Sequence, residues 1–445
     1  MTELQALVRK PVHSTVYLFA TLAIGVAAVY EPAASVIAMA VLLLLVLTLR
    51  NPEAVSHVVL LSTAISVNYI VDANVLGIEL LSVYKLGILV LLIPCMLQYG
   101  LRFKLGYPLA ALLAMLLMTF TVSDWFPRLT AGIALKAYIG LAIPFVFLLI
   151  RWNAETAKRH IRLICLLPLV SVFVGALLQA AHLYSLLDVE FTGAVRVQGA
   201  NIAPHLAMLA FLGITVALLE LKRDPGFSRF AYATLAVNFA ILVATGTRGP
   251  LLAMLLLAGY TFFDMSKQYI KGKVMLIVPL FCTVVLLAVA AYASWDNMMK
   301  RSFERDTGTG IDLSGRTEAW AYFLRGAAES PVTGRGLGAV TVANDGSLYE
   351  GFVVPHNEYI RFFFDGGYIG AGLFFLSLLA VFGAVYRVLP ARIRKPYVLF
   401  LAGFFAYSFT DNTLSTVQFI IPFCWYLNGL HLLSQKERAA EGVVP

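Results

Sequence analysis

Residues 274–294 have the sequence VMLIVPLFCTVVLLAVAAYAS, an apolar run without a charged side chain. A helix needs about 20 such residues to cross the hydrocarbon core of a bilayer. The whole chain of 445 residues has a similar character, with 60% hydrophobic and 13% charged residues, whereas a soluble domain has about 25% charged residues. So little charge cannot cover a soluble surface, which excludes a soluble enzyme, a disordered chain and a nucleic-acid-binding module. The sequence predicts a polytopic membrane protein.

Other apolar runs extend this pattern along the chain. They cover residues 12–30, 33–49, 55–71, 80–98, 106–122, 131–150, 161–183, 203–221, 230–246, 249–264, 359–386, 397–411 and 416–433. Their lengths are those of membrane helices. Several of the runs are short, so we expect an all-α fold with 12–14 transmembrane helices.

The charged residues between the runs predict the orientation. If the N-terminus is cytoplasmic, most Lys and Arg residues fall in inner loops, and the outer connections carry acids such as Glu31, Asp72 and Asp124. This asymmetry is the positive-inside pattern of membrane proteins. It accounts for the net charge of +8 without a nucleic-acid partner, and it places both termini in the cytoplasm.

One long hydrophilic segment, residues 295–357, falls on the outer side. It separates an N-terminal transmembrane bundle over 1–294 from C-terminal transmembrane helices and a short cytoplasmic tail over 358–445. Within it, apolar residues recur at helical spacing after Arg316. They are Trp320, Phe323, Leu324 and Ala327. This spacing predicts an amphipathic helix that covers an opening between the spans.

Three basic residues at the predicted outer ends of spans could carry chemistry. His356 lies in PHNEYIRFFFDGGYIGAG, where a neutral imidazole could take a proton from a hydroxyl. Arg248 lies in ATGTRGPLL and Arg196 in GAVRVQGANIAPH, and a guanidinium can bind phosphate oxygens in a paired geometry. The alternatives are a histidine that caps a helix and arginines that anchor span ends at the membrane surface. Weaker candidates at the same end are Arg316, Arg335, Arg361, Asp365, His205, Lys136 and Asp411.

These motifs together resemble one family. His356 and Asn357, followed after nine residues by GYIG, are similar to the H-[NSQ]-x9-G-x-x-[GTY] signature of bacterial O-antigen ligases and protein O-oligosaccharyltransferases. Arg248 begins an R-x-x-x-L element, and SGRTEAWAYF with PVTGRGLG resembles the stretch that precedes the histidine in the ligase and polymerase domain. The resemblance covers roughly residues 190–430 and implies a fold like that of the GT-C glycosyltransferases.

The resemblance also implies a reaction. A preassembled glycan would move from undecaprenyl diphosphate to a hydroxyl of the lipid A–core oligosaccharide, at the periplasmic face of the bacterial inner membrane. His356 would be the general base, and Arg196 and Arg248 would hold the diphosphate. Because arginine keeps its charge without a metal, we expect no metal and no cofactor. Further substrate-binding candidates are Arg316, Trp320, Asn357, Tyr359 and Arg361.

Several alternatives stay open at this point. An O-antigen or exopolysaccharide polymerase would use a second lipid-linked glycan as its acceptor, although polymerases commonly lack the histidine signature. A protein O-oligosaccharyltransferase shares the signature and often has a longer C-terminal region. A transporter of lipid-linked glycans would do no covalent chemistry, and charged residues near span midpoints would be typical of it.

Overall fold

The computed structural model describes residues 51–71, 74–75, 78–190, 193–303, 316–344 and 353–440. The predicted runs at 12–30 and 33–49 lie outside them. The first half of the described chain contains α1 Pro52–Ser62, α2 Val67–Ile70, β1 Asn74–Val75, β2 Ile78–Glu79, α3 Leu80–Tyr99, α4 Tyr107–Thr121, α5 Ala131–Val146, α6 Ala154–Ala180, β3 Leu187–Val189, β4 Val195–Val197 and α7 Ala203–Arg223. The second half contains α8 Ser228–Ala244, α9 Arg248–Ile270, α10 Ile277–Phe303, α11 Arg316–Ala328, α12 Val340–Ala343, α13 Glu358–Val388, α14 Ala391–Ser408 and α15 Val417–Ala440.

The prediction of an all-α polytopic membrane protein is confirmed. Among the described helices, six are long and apolar enough to cross a membrane. They are Leu80–Tyr99, Ala154–Ala180, Ala203–Arg223, Arg248–Ile270, Val274–Tyr292 and Glu358–Val388. Helices α4, α5 and α8 are apolar but shorter, and the strands form two small antiparallel hairpins, β1–β2 and β3–β4.

Local sequence explains where several helices begin. Asn153 and Thr130 accept hydrogen bonds from the first-turn amides of α6 and α5, as N-cap residues do. Asn357 caps α13 in the same way, with its side-chain oxygen accepting from two backbone N–H groups. Polar residues therefore mark these helix starts within an otherwise apolar sequence.

The centre of the bundle is formed by α7 and α15. Every residue of α15 from Val417 to Ser434 is buried, and most of α7 is also buried. By contrast, most residues of the apolar stretch Val274–Tyr292 are exposed, and Leu280 is its single buried residue. An apolar surface of this kind fits contact with lipid.

Helix α13 is broken at Gly367, where φ is +59° and ψ is −162°. The segment 331–338, which contains TGRGLG, passes against the break and pairs with its backbone. The N–H of Tyr368 donates to the carbonyl of Pro331 at 2.8 Å, and the N–H of Gly336 donates to that of Asp365 at 2.9 Å. The glycine-rich part of the family signature therefore joins the outer loop to α13.

The outer loop forms later than the predicted boundary at 294, because α10 continues to Phe303. The expected amphipathic helix is α11, and its buried side chains are Ala319, Phe323 and Ala327. Leu324, which we expected on the apolar face, is 44% exposed. Helix α11 packs against α13 so closely that a Cβ at Gly326 would stand 2.7 Å from the ring of Phe364.

Candidate functional site

Residues from several elements meet at the end of the bundle that was predicted to face outward. Helix α9 begins there with Arg248 and α11 with Arg316, while His356 directly precedes the cap of α13. The connection 409–416 between α14 and α15 completes the cluster. His205, near the start of α7, interacts electrostatically with His356 and with Asp411 of this connection.

His356 lies against a carboxylate. Its Nδ1 is 3.4 Å from Oδ1 of Asp411, and the imidazole side chain is 34% exposed while Asp411 is nearly buried. The backbone of His356 has φ of +47°, which is uncommon outside glycine. Uncommon backbone conformations of this kind cluster at functional sites. An accessible imidazole held by a buried carboxylate is an arrangement suited to general base chemistry.

Asn412 also contacts the imidazole, with Nδ2 3.2 Å from Nδ1 of His356. The side-chain oxygen of Asn412 is buried and has no hydrogen-bond partner among the described residues. The two ends of an amide are distinguished only by their hydrogen bonds. A half-turn of this amide would present its oxygen to a proton on Nδ1 beside the Asp411 carboxylate. Both groups would then hold the imidazole with its proton on Nδ1.

Asp411 is ionised by its surroundings. Burial opposes the charged form of Asp411. This effect is outweighed by the hydrogen bond and charge of His356, by the N–H of Asn412 and by the charge of Arg316. Together they hold the pKa of Asp411 below its ordinary value. Tyr407 donates from its hydroxyl to Oδ2 at 3.4 Å. Near neutral pH the site therefore contains a fixed negative charge next to the histidine.

Arg248 is the first residue of α9 and is half-buried. Gly249 brings this helix end close to the Asp411 connection, because a Cβ at Gly249 would stand 2.9 Å from the hydroxyl of Thr410. The N-terminus of a helix presents backbone N–H groups and a partial positive charge, which suit an anion. Arg248 and the start of α9 together form a cationic surface beside the His356–Asp411 pair.

Arg196 lies next to the turn that leads into α9, and protein groups hold its guanidinium. Its Nε donates to the carbonyl of Thr245 at 2.9 Å, one terminal nitrogen donates to Glu190 at 2.6 Å, and the other donates to the hydroxyl of Thr247 at 3.1 Å. Thr247 is the N-cap residue of α9, but its hydroxyl does not cap the helix. Arg196 therefore fixes the turn that places Arg248.

The predicted substrate-binding residues separate into two groups. Asn357 caps α13, and the Tyr359 hydroxyl donates to the carbonyl of Phe405 at 2.8 Å, so both support the structure of the site. Trp320 donates from its indole N–H to the carbonyl of Pro355 at 2.7 Å. Its ring also contacts Phe409 at a centroid distance of 5.2 Å. Helix α11 thus holds the two segments that carry His356 and Asp411.

Arg316 and Arg361 form the second group, because each has a buried Nε without a hydrogen-bond partner among the described residues. Arg316 lies near enough to Asp411 to stabilise its charge. Arg361 is 8% exposed and lies one turn into α13. Each guanidinium therefore has one hydrogen-bond donor that the described residues leave unused.

The sequence predicts His356 as a site residue but gives only a weak indication of its partner Asp411 and none of Asn412. The reason is that 55 and 56 positions separate these two residues from the histidine. The signal that could have found them is the polar segment TDNT between two apolar runs at the same predicted end. One acidic pair in the outer loop, Glu304 and Asp306, is spaced like a metal-binding motif and lies outside the described residues.

The fold defines the class as a multi-pass, all-α membrane protein with a polar cluster at one end of its bundle. Residues 233–375 match the family model described as O-antigen ligase. The match covers about a third of the chain and supports the resemblance to the O-antigen ligase family that the sequence motifs indicate. The matched segment includes Arg248, Arg316 and His356, whereas Arg196 and Asp411 lie outside it. No curated protein matches the chain.

Proposed function

We propose that this protein is an O-antigen ligase. It transfers a preassembled glycan from undecaprenyl diphosphate to a hydroxyl of lipid A–core at the periplasmic face of the inner membrane. The observation that carries the proposal is the His356–Asp411 pair beside the cationic start of α9. A base for the acceptor and a cation for the leaving diphosphate are the two groups this reaction needs.

In the proposed mechanism, Asp411 holds Nδ1 of His356 so that Nε2 receives the proton of the acceptor hydroxyl. The hydroxyl oxygen forms a bond to the anomeric carbon as the bond from that carbon to the phosphate oxygen breaks. The electron pair leaves with the diphosphate, and the single displacement inverts the anomeric carbon. Asp411 stabilises the imidazolium that forms.

The leaving diphosphate gains charge as the bond breaks. Arg248, the first-turn N–H groups of α9 and Arg316 would stabilise that charge. Arg196 acts as a positioning residue, because its guanidinium is bound to the turn before Arg248. These groups carry their charge without a metal ion.

An apolar cavity supports a lipid-linked donor. It has a volume of about 610 Å³, lies between α7, α8, α9 and α10, and is lined almost entirely by apolar groups. Its lining residues on α9 run from Met254 to Met265, so the cavity follows the helix that begins with Arg248. A polyprenyl tail could occupy it while its diphosphate stays at the helix start.

The test is transfer by the purified full-length protein in detergent, with undecaprenyl-diphosphate glycan and lipid A–core, without nucleotide and with EDTA. We expect a ladder of glycosylated lipid A–core. Growth of the lipid-linked glycan without core would contradict the ligase and identify a polymerase. Activity lost in EDTA and restored by a divalent ion would contradict the metal-free mechanism.

Arg248→Lys is expected to slow transfer about 10²-fold, although the charge is kept. Lysine offers a point charge, whereas arginine binds two oxygens of a phosphate in a paired geometry, and lost stabilisation of a leaving group costs about this much. The measurement is the initial transfer rate at saturating donor. Arg159→Lys, at an exposed ion pair with Glu53, is the matched control and should keep its rate. Near-normal transfer by Arg248→Lys would limit Arg248 to anchoring the helix end.

A further inference from the structure

A second cavity, of about 910 Å³, lies on another side of the outer end. It is bounded by the starts of α3 and α5, by α12, by Arg361 of α13 and by Ser415. The apolar cavity lies between α7 and α10, so no helix lines both cavities. The proposed function uses nothing in this second cavity, which we call the basic cavity.

Two cations of the basic cavity form no ion pair with any described residue: Lys85 and Arg361. Arg361 is 8% exposed, and its Nε is buried without a partner. Lys85 lies near enough to Arg361 for their charges to repel. A third cation, Lys136, also lines the cavity, but its ammonium is 2.9 Å from the carboxylate of Glu79. The proposed site therefore consists of Lys85 and Arg361.

The acids near Arg361 on α13 are used elsewhere. One oxygen of Glu358 accepts from the N–H of Leu414 and from the N–H and hydroxyl of Ser415. Both oxygens of Asp365 accept from backbone N–H groups of the glycine-rich segment. They offset part of the positive charge of Arg361, but neither binds its guanidinium. Glu358 and Asp365 thus bind backbone groups behind the cavity wall, while Lys85 and Arg361 line the cavity itself.

The wall also makes room for the ammonium of Lys85. A Cβ at Gly140 of α5 would stand 3.2 Å from Nζ of Lys85, so the bare backbone at this position accommodates the side chain. Hydroxyls of Ser82 and Thr341 complete the polar lining. Lys85 and Arg361 form no ion pair with a described carboxylate, and cations of this kind, together with hydroxyls, can bind a phosphate on a sugar.

The connection between α14 and α15 links the two sides of the site. Thr410 packs against Gly249 at the start of α9, Asp411 and Asn412 contact His356, and Ser415 lines the basic cavity. The connection that contacts His356 therefore also contacts the start of α9 and the basic cavity.

We propose that Lys85 and Arg361 bind a phosphate group on the sugar head group of the acceptor glycolipid. This proposal rests on the proposed function for the identity of the acceptor. The charge of the site selects a phosphorylated head group over a neutral one, and its place away from Arg248 assigns it to the acceptor and not to the donor diphosphate.

The experiment measures transfer by the full-length protein and its variants Lys85→Met and Arg361→Gln, with phosphorylated and enzymatically dephosphorylated lipid A–core. Each variant should raise the KM for the phosphorylated acceptor about tenfold, the effect of losing one charged contact. The KM for the donor and the kcat should stay within about twofold. With dephosphorylated acceptor, variants and parent should have the same KM.

Arg159→Met is the matched control, because it removes a cation at an exposed ion pair with Glu53 away from the cavity lining, and it should leave both KM values unchanged. Gly140→Leu, which fills the space at Nζ of Lys85 without removing a charge, should raise the acceptor KM as Lys85→Met does. The thermal unfolding midpoint of each variant is measured first, and only variants with the midpoint of the parent are compared. Arg361→Lys replaces Arg361→Gln if Arg361→Gln unfolds.

Either of two kinetic outcomes would overturn the proposal: an unchanged acceptor KM in folded variants, or a raised donor KM, which would assign the cations to the diphosphate. Equilibrium binding of phosphorylated lipid A–core to the parent and variants, measured without donor, separates this proposal from the proposed function. Binding that weakens about tenfold in the variants, with no transfer by the parent, would support the site and reject the ligase. Equal binding by parent and variants would reject the site even if transfer is observed.

Discussion

His356→Ala is expected to slow glycan transfer by about 10³-fold or more while leaving donor binding intact. In the proposed mechanism the imidazole takes the proton of the acceptor hydroxyl, and a general base contributes about 10²–10⁴-fold to a rate. Its partner Asp411 is buried and cannot replace it, since Oδ1 lies behind Nδ1 at 3.4 Å. The measurement is the single-turnover transfer rate beside equilibrium binding of the donor lipid in the same detergent.

The matched variant is His356→Asn, because asparagine tolerates positive φ better than alanine does, and His356 has φ of +47°. If both variants lose transfer and both bind donor, the loss comes from the missing base and not from the backbone. Asp411→Asn should slow transfer in the same direction by a smaller factor, because it leaves the imidazole in place. Near-normal turnover by folded His356→Asn would contradict the mechanism.

Gly367→Ala is expected to destabilise the protein by about 2–6 kcal/mol, enough to lose much of the folded material. The conformation at Gly367, with φ of +59° and ψ of −162°, is one that essentially only glycine adopts. A Cβ there would also stand 2.5 Å from the backbone of Val332 and 2.6 Å from the N–H of Gly334. Backbone strain and a backbone clash each cost about 1–3 kcal/mol.

The measurement is the thermal unfolding midpoint and the yield of monodisperse protein in detergent. Gly372→Ala is the control on the same helix, because a Cβ there would meet no atom within 4 Å. Alanine in a helix is about 1 kcal/mol better than glycine, so this variant should be as stable as the parent or more stable. A Gly367→Ala protein with a normal midpoint would show that the glycine-rich segment can move away from α13 at little cost.

Several membrane helices followed closely from the sequence, whereas the run predicted at 55–71 is divided into the short helices α1 and α2. The runs predicted at 80–98, 203–221 and 359–386 correspond to α3, α7 and α13 to within a few residues. Hydrophobic length is a local property, and the bilayer imposes a fixed length on it. The boundary at 294 was less accurate, because α10 keeps its helix beyond the apolar stretch to Phe303.

The candidate site was predictable only in part. His356 and Arg248 stand out locally, because charged or titratable side chains next to apolar runs are rare and often functional. The partners of these residues depend on contacts across the fold. Arg196 lies 49 positions from Thr245, whose carbonyl it binds, and no spacing in the sequence indicates that its guanidinium holds the start of α9.

By itself, the sequence determined the class of protein, most of its apolar helices, the resemblance to one family and the residues around which the candidate site is built. These depend on composition, on run length and on short motifs, all of which are local. The tertiary structure decided which polar groups meet: Asp411 with His356, and Lys85 with Arg361 in the basic cavity. The physical reason is that a buried charge must find its partner through space, and in a bundle of membrane helices that partner lies tens to hundreds of positions away.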